Sequence, residues 1–143
     1  MTAMGHSTWS GTWKEGVGTM STDGPTLDGV AYTFASRFEG AAGASPEELL
    51  AVAHAGCFNQ ALANNLGMIG LEAGSVATSV LVETGLDQEG SPAITRLHVT
   101  TSARVNGASA DQFAHCAERA RARCSIAKVL RCVIGLTATL IVD

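Results

Sequence analysis

Between Leu49 and Leu71 the chain carries no Asp, Glu, Lys or Arg, and this charge-free run constrains the fold more than any other feature. Ser45 is a good N-cap, Pro46 suits a first helical position, and Glu48 completes a Ser-x-x-Glu capping box. The run therefore predicts a long helix from Pro46 to about Leu66, ended by Gly67 or Gly70. A helix without a charged face is expected to be buried. Cys57 lies in its middle, where a thiol is ordinarily inert. It becomes reactive only if something cationic is brought to it, and Arg37 is the nearest candidate in sequence.

The same run is long enough to raise the question of a membrane span. His54, Asn59, Gln60, Asn64 and Asn65 would make a poor lipid-facing helix, so a buried central helix is preferred and no membrane partner is expected. Charged residues make up only 15% of the chain and apolar ones 46%, which suggests a surface hidden in part against a second copy. A net charge of −4 argues against nucleic acid as a partner. The late basic residues Arg119, Arg121, Arg123, Lys128 and Arg131 read as a solvated helix face favoured near a C-terminus. The first twenty residues lack the apolar core of a secretory signal. A cytoplasmic location is expected, with the four cysteines reduced, serving as core filling or chemistry.

At 143 residues the chain is expected to form one domain, residues 1–143. Ser7 to Lys14 and Val17 to Thr22 alternate as two strands, and Ala31 to Phe38 reads as a third that delivers Arg37 near its end. Ala73 to Leu86 and Ala93 to Val105 predict a hairpin around Gln88-Glu89-Gly90. A second helix starts at Ser109, with Gln112 completing its capping box, carries Phe113, Cys116, Ala117 and Ala120 on one face, and ends near Cys124. Ser125 could cap a short third helix through Leu130, and Cys132 to Val142 makes a last strand. The expected class is α+β, with antiparallel sheets around a long buried central helix.

The candidate chemistry is concentrated in few residues. Cys57 needs a stabilised thiolate to react, since an ordinary thiol is only a few per cent ionised at neutral pH. A partly desolvated guanidinium in hydrogen-bond range could supply that stabilisation, and Glu47 on the first helical turn could hold the planar fork of Arg37. Equally, Glu47 and Glu48 could do no more than complement the helix N-terminus. Cys124 sits at a helix junction beside an arginine-rich turn, a mobile and electropositive place suited to a thiol that must approach another sulfur. Cys116 and Cys132 read as core residues. His54, one turn before Cys57, could act as base in a Cys-His hydrolase or as a metal ligand, but the remaining cysteines and histidines lack the local pairing of a zinc site. No metal or cofactor is expected.

Three stretches resemble the OsmC/Ohr family, the osmotically inducible protein C and organic hydroperoxide resistance proteins. GVGTMSTDGPTLDGVAYTFASRFEG is similar to its N-terminal sheet, SPEELLAVAHAGCF to its central-helix motif and ARCSIAKVL to its second-cysteine motif, so the resemblance covers almost the whole chain. The arginine within RFEG is similar to the OsmC branch. The resemblance implies an intertwined homodimer and a thiol-dependent peroxidase of the stress response, acting on organic hydroperoxides. It implies Cys57 as the peroxidatic cysteine and Cys124 as the resolving one, joined in a disulfide during the cycle. Arg37 would stabilise the thiolate and orient the peroxide, Glu47 would hold Arg37, and a dithiol reductant such as a lipoylated protein would reopen the disulfide. Where the family motif has proline after the second cysteine, this chain has Ser125, which is expected to loosen the junction or cap the next helix differently. An apolar site lined by Phe38, Phe58 and leucines would favour bulky organic peroxides. A non-catalytic dimer that binds hydrophobic ligands, its cysteines incidental, is the alternative from another class.

Overall fold

The computed structural model describes residues 1–142, and the chain divides into two compact units, Met1–Leu49 and a second that begins at Leu50. Asp143, the end of the expected domain, lies outside the described residues.

In the first unit, β1 (Gly5–Ser10), β2 (Val17–Thr22) and β3 (Val30–Thr33) form an antiparallel sheet in the order β1-β2-β3. The first strand ends earlier than its alternation suggests. Gly11 at φ 100° turns the chain out of the strand, and the Gly16 N–H then donates to the Thr12 carbonyl at 2.9 Å. The expected third strand also stops short. Thr33 accepts from the Ser36 N–H while the Ser36 hydroxyl accepts from the Thr33 N–H, a capping box that starts the helix α1 (Phe34–Phe38). Arg37 is thus carried by a helical turn rather than a strand.

The Ser36 hydroxyl also donates to the Ala44 carbonyl at 2.8 Å, and the Ala44 N–H donates to the Ala31 carbonyl at 3.1 Å. These bonds fold the loop of residues 40–44 back on the sheet and fix the entry into α2 (Pro46–Gly67). Ser45 caps that helix as expected, its hydroxyl accepting from the Glu48 N–H at 3.1 Å.

The rest of α2 belongs to the second unit, with β4 (Ala73–Leu86), β5 (Pro92–Val105), α3 (Ala110–Arg123), a 3₁₀ turn at Ala127–Val129 and β6 (Val133–Leu140). The sheet order is β4-β5-β6. β4 and β5 pair antiparallel as the hairpin signal predicts, but β6 runs parallel to β5. The intervening α3 makes the connection a crossover, which returns the chain in the same direction, so the expectation of antiparallel pairing throughout is corrected here. The core joins Phe58, Leu62 and Leu66 of α2, the alternating Val99, Ala103 and Val105 of β5, and the helical stripe Phe113, Cys116, Ala117 and Ala120 of α3.

α2 is buried along one stripe only. His54, Phe58, Leu62, Asn65 and Leu66 are enclosed, whereas Val52 is 67% exposed and Ala53 and Gly56 are exposed beside it. Burial on every side, expected from the lack of charge, is not reached within the single chain. No helix among the described residues is long and apolar enough to cross a membrane.

Candidate active site

The four residues singled out in the sequence fall into two pairs. In the first unit, Arg37 donates through Nη2 to Glu47 Oε1 at 2.5 Å and through Nε to Glu47 Oε2 at 3.3 Å. Both side chains are partly buried, so the pair is a two-bond clamp rather than a solvated surface contact. The hydrogen bond that Arg37 donates to Glu47 raises the Arg37 pKa further and outweighs the opposing effect of burial. Burial pushes the Glu47 carboxyl up, but its bonds to Arg37 and to its own backbone N–H overcome this and leave it below the usual carboxylate range. Glu47 is therefore more than a complement to the helix N-terminus.

The guanidinium also stacks over the Phe38 ring, with Cζ 4.8 Å from the centroid. Arg37 and Phe38 form one side of an open cleft of about 240 Å³, completed by Trp9, Trp13, Tyr32 and Phe34. Trp13 meets Phe34 edge-on at 4.8 Å, and Trp9 lies 5.3 Å from Tyr32. Phe58, expected to line an apolar site with Phe38, is instead fully enclosed in the core of the second unit. The aromatic wall was hidden in the sequence because its members are scattered over the first 38 residues, and only strand register brings them together.

In the second unit, Cys57 is half-buried on α2 and Cys124 is the C-cap residue of α3. Both are free thiols, and they line one open cleft of about 390 Å³ with Gln60, Ala61, Asn64, Arg123 and Ser125. The Ser125 hydroxyl lies 3.3 Å from Cys57 Sγ. Burial alone would push the Cys57 thiol up. Hydrogen bonds from the Ser125 hydroxyl, the Ile126 N–H, the Cys124 thiol and the Ser125 N–H together overcome this and pull it below its ordinary value. Cys124 moves the other way: burial raises it, and the neighbouring Cys57 sulfur raises it further against a bond from the Ala127 N–H. The two thiols are therefore poised oppositely, one to ionise and the other to keep its proton.

Some expectations for the cysteines change. Cys124 is 3% exposed, so it is an enclosed residue rather than one on an open, mobile turn. Cys116 is buried as expected, but Cys132 is only half-buried and is not part of the core. Ser125 does not cap the 3₁₀ turn, whose N-cap is Ile126 without a side-chain bond, and its hydroxyl is turned to Cys57 instead. His54 is enclosed with neither ring nitrogen hydrogen-bonded, and burial lowers its pKa. It makes no bond to Cys57, so the Cys-His dyad of a hydrolase is not assembled. Among the described residues no group of three or more His, Cys, Asp or Glu is placed to hold a metal ion.

Residues 39–138 match the family model described as OsmC-like protein. The chain is 37% identical over 133 residues to the peroxiredoxin OsmC of Escherichia coli (strain K12), and equally to that of Shigella flexneri, with 92% of each chain covered. Among solved structures, the organic hydroperoxide resistance protein OhrB of Bacillus subtilis superimposes with a TM-score of 0.69 at 21% identity, covering 99% of this chain and 98% of that one. An OsmC-like protein from Mycoplasma pneumoniae gives a TM-score of 0.74 at 12% identity, with 99% of each covered. These structural likenesses concern the fold.

Proposed function

The chain belongs to the OsmC-like protein family, and on that premise we propose that it is a thiol-dependent peroxidase that reduces organic hydroperoxides to alcohols. The observation that carries this reading is the oppositely poised pair Cys57 and Cys124 on one cleft. The likeness to peroxiredoxin OsmC supports it, and so does the folding neighbour named for organic hydroperoxide resistance.

The chemistry follows from the two thiols. The Cys57 thiolate attacks the terminal oxygen of R–O–O–H, the O–O bond breaks, and the alkoxide takes a proton and leaves as the alcohol. Cys57 is then a sulfenic acid. The Cys124 sulfur attacks it, the Cys124 proton joins the departing hydroxide as water, and a Cys57–Cys124 disulfide forms. A dithiol reductant, such as a lipoylated protein, exchanges with that disulfide and restores both thiols while becoming a disulfide itself. A raised pKa on Cys124 suits this order, because its proton is kept until the sulfenic acid appears.

Arg37 is proposed to act in the assembled enzyme as the cation that favours the thiolate and orients the peroxide, with Glu47 fixing its fork. The assembly proposed is a homodimer. The exposed, uncharged side of α2, with Val52 at its centre, is the kind of surface a second copy would cover. The proposed setting is the antioxidant stress response in the cytoplasm.

The test is mass spectrometry of the reduced protein after one equivalent of an organic hydroperoxide. A loss of two hydrogens with a Cys57–Cys124 crosslink in the non-reducing peptide map is expected. Unchanged thiols would reject the peroxidase reading and turn attention to the aromatic cleft as a binding site for hydrophobic ligands.

A further inference from the structure

Ser125 directly follows Cys124, at the point where the chain leaves α3 in an extended conformation (Cys124 φ −63°, ψ 149°). A serine there would ordinarily be read as a cap for the next turn, but the turn at Ala127–Val129 takes no side-chain cap. Instead the Ser125 hydroxyl comes within 3.3 Å of Cys57 Sγ, across 68 positions of sequence. Hydrogen bonding from the Ser125 and Ile126 main-chain N–H groups lowers the Cys57 pKa in the same sense as the hydroxyl. A hydroxyl within hydrogen-bond range of a thiol stabilises its anion, because a thiolate accepts from it more strongly than the neutral thiol does.

We propose that Ser125 is a catalytic residue of this chain, holding Cys57 as the reactive anion by donating its hydroxyl to Sγ. A proline at this position could make no such bond, because it lacks a hydroxyl, and it has no main-chain N–H either. Serine in place of proline thus adds a hydroxyl donor to the reacting atom, and its effect falls on the first chemical step rather than on the looseness of the junction. This inference deepens the peroxidase reading by naming a further residue, and it rests on that reading for its role in turnover.

The test separates the two. The pH dependence of Cys57 alkylation by iodoacetamide is followed peptide by peptide in the wild type, Ser125→Thr, Ser125→Ala and Ser125→Pro, which requires no peroxide. A hydrogen bond to a charged group is among the stronger ones, and solvent at this open site reduces its effect, so Ser125→Ala is expected to raise the midpoint by about one pH unit. Alkylation below the midpoint then slows about tenfold. Ser125→Pro is expected to raise the midpoint further, while Ser125→Thr keeps it near that of the wild type. A Ser125→Ala midpoint equal to that of the wild type would overturn the proposal, whether or not the proline variant folds. If hydroperoxide is consumed, the deficit of Ser125→Ala is expected to vanish at alkaline pH, where the thiol ionises unaided. A deficit that persisted there with an unmoved midpoint would assign Ser125 a structural role only. If no variant consumes hydroperoxide but the midpoints still shift, the peroxidase reading fails and the role of Ser125 in holding the thiolate stands.

Discussion

Glu47 grips Arg37 through both carboxylate oxygens, and the same guanidinium sits over the Phe38 ring with Cζ 4.8 Å from its centroid. Two bonds and a ring contact orient the fork in a way that a lysine cannot reproduce with a single rotating ammonium. Arg37→Lys and Glu47→Gln are each expected to lower kcat/KM for an organic hydroperoxide by about 10- to 100-fold, the range set by losing one charge-assisted bond. Unchanged kcat/KM in both variants would remove the pair from the mechanism.

The pair also makes a pH-dependent contribution to stability. Glu47 is held below the usual carboxylate range, so its contribution is fully present above the unfolded pKa and is lost as pH falls through the lower folded value. Because both partners are partly exposed, the contribution is on the order of 1 kcal/mol. Glu47→Gln is therefore expected to melt about 2–4 °C below the wild type at pH 7, with the gap narrowing as the pH is lowered through and below the usual carboxylate range. A gap that does not change with pH would show that the carboxylate charge is not what holds Arg37.

The cysteine pair makes a sharper prediction. Cys57→Ser is expected to abolish hydroperoxide consumption. Cys124→Ser is expected to consume about one equivalent per chain and stop as a Cys57 sulfenic acid that a dimedone probe captures. The rate of that first equivalent should rise with pH through the lowered Cys57 pKa and then level off below the range of an ordinary thiol. Burst consumption by Cys57→Ser would transfer the peroxidatic role to another thiol.

Much of this site could be read from the sequence because its signals are local. Ser45, Pro46 and Glu48 mark the start of α2, and Cys57 follows within the same helix, so one capping box locates both Glu47 and the thiol. What stayed hidden depended on contacts between distant residues. A strand pattern over residues 31–38 is broken by the Thr33–Ser36 capping box, a weaker signal than the alternation around it. The parallel placement of β6 is decided by the crossover through α3, which strand periodicity does not register. Ser125 was visible as an unusual residue after Cys124, but whether it would cap the next turn or face a sulfur was decided by where α2 packs against α3.

The aromatic cleft predicts selectivity. Trp9, Trp13, Tyr32, Phe34 and Phe38 offer apolar and π surface around the Arg37 charge, which suits a substrate with a bulky organic end and a small polar one. Trp13→Ala removes the ring that meets Phe34 edge-on and stands 6.3 Å from Phe38. It is expected to lower kcat/KM for cumene hydroperoxide about tenfold, the order set by losing roughly 1.4 kcal/mol of ring contact. The rate with hydrogen peroxide, which has no organic end, should stay unchanged. Equal losses for both substrates would mean that the cleft supports the fold without selecting the substrate.

Gly18 connects that cleft to the stability of its sheet. On the middle strand it is the register partner of Trp9 on one side and of Tyr32 on the other, and the two rings lie over its bare backbone. A Cβ at this position would stand 2.4 Å from the Thr8 carbonyl oxygen, 2.6 Å from the Tyr32 ring and 2.8 Å from the Trp9 ring. The rings could rotate away, but the carbonyl belongs to the β1–β2 ladder and can retreat only by spreading the strands. Gly18→Ala is therefore expected to destabilise the protein by about 1–3 kcal/mol in urea unfolding, the range for forcing a methyl into a filled space. Because the displaced rings are also the wall of the cleft, discrimination between cumene hydroperoxide and hydrogen peroxide should weaken in the same variant. Gly5, whose added Cβ would meet only the Ser21 carbonyl oxygen at 3.8 Å, is the control, and Gly5→Ala should leave both properties unchanged. Equal stability of Gly18→Ala and Gly5→Ala would mean that the sheet yields at Gly18 more readily than its paired strands imply.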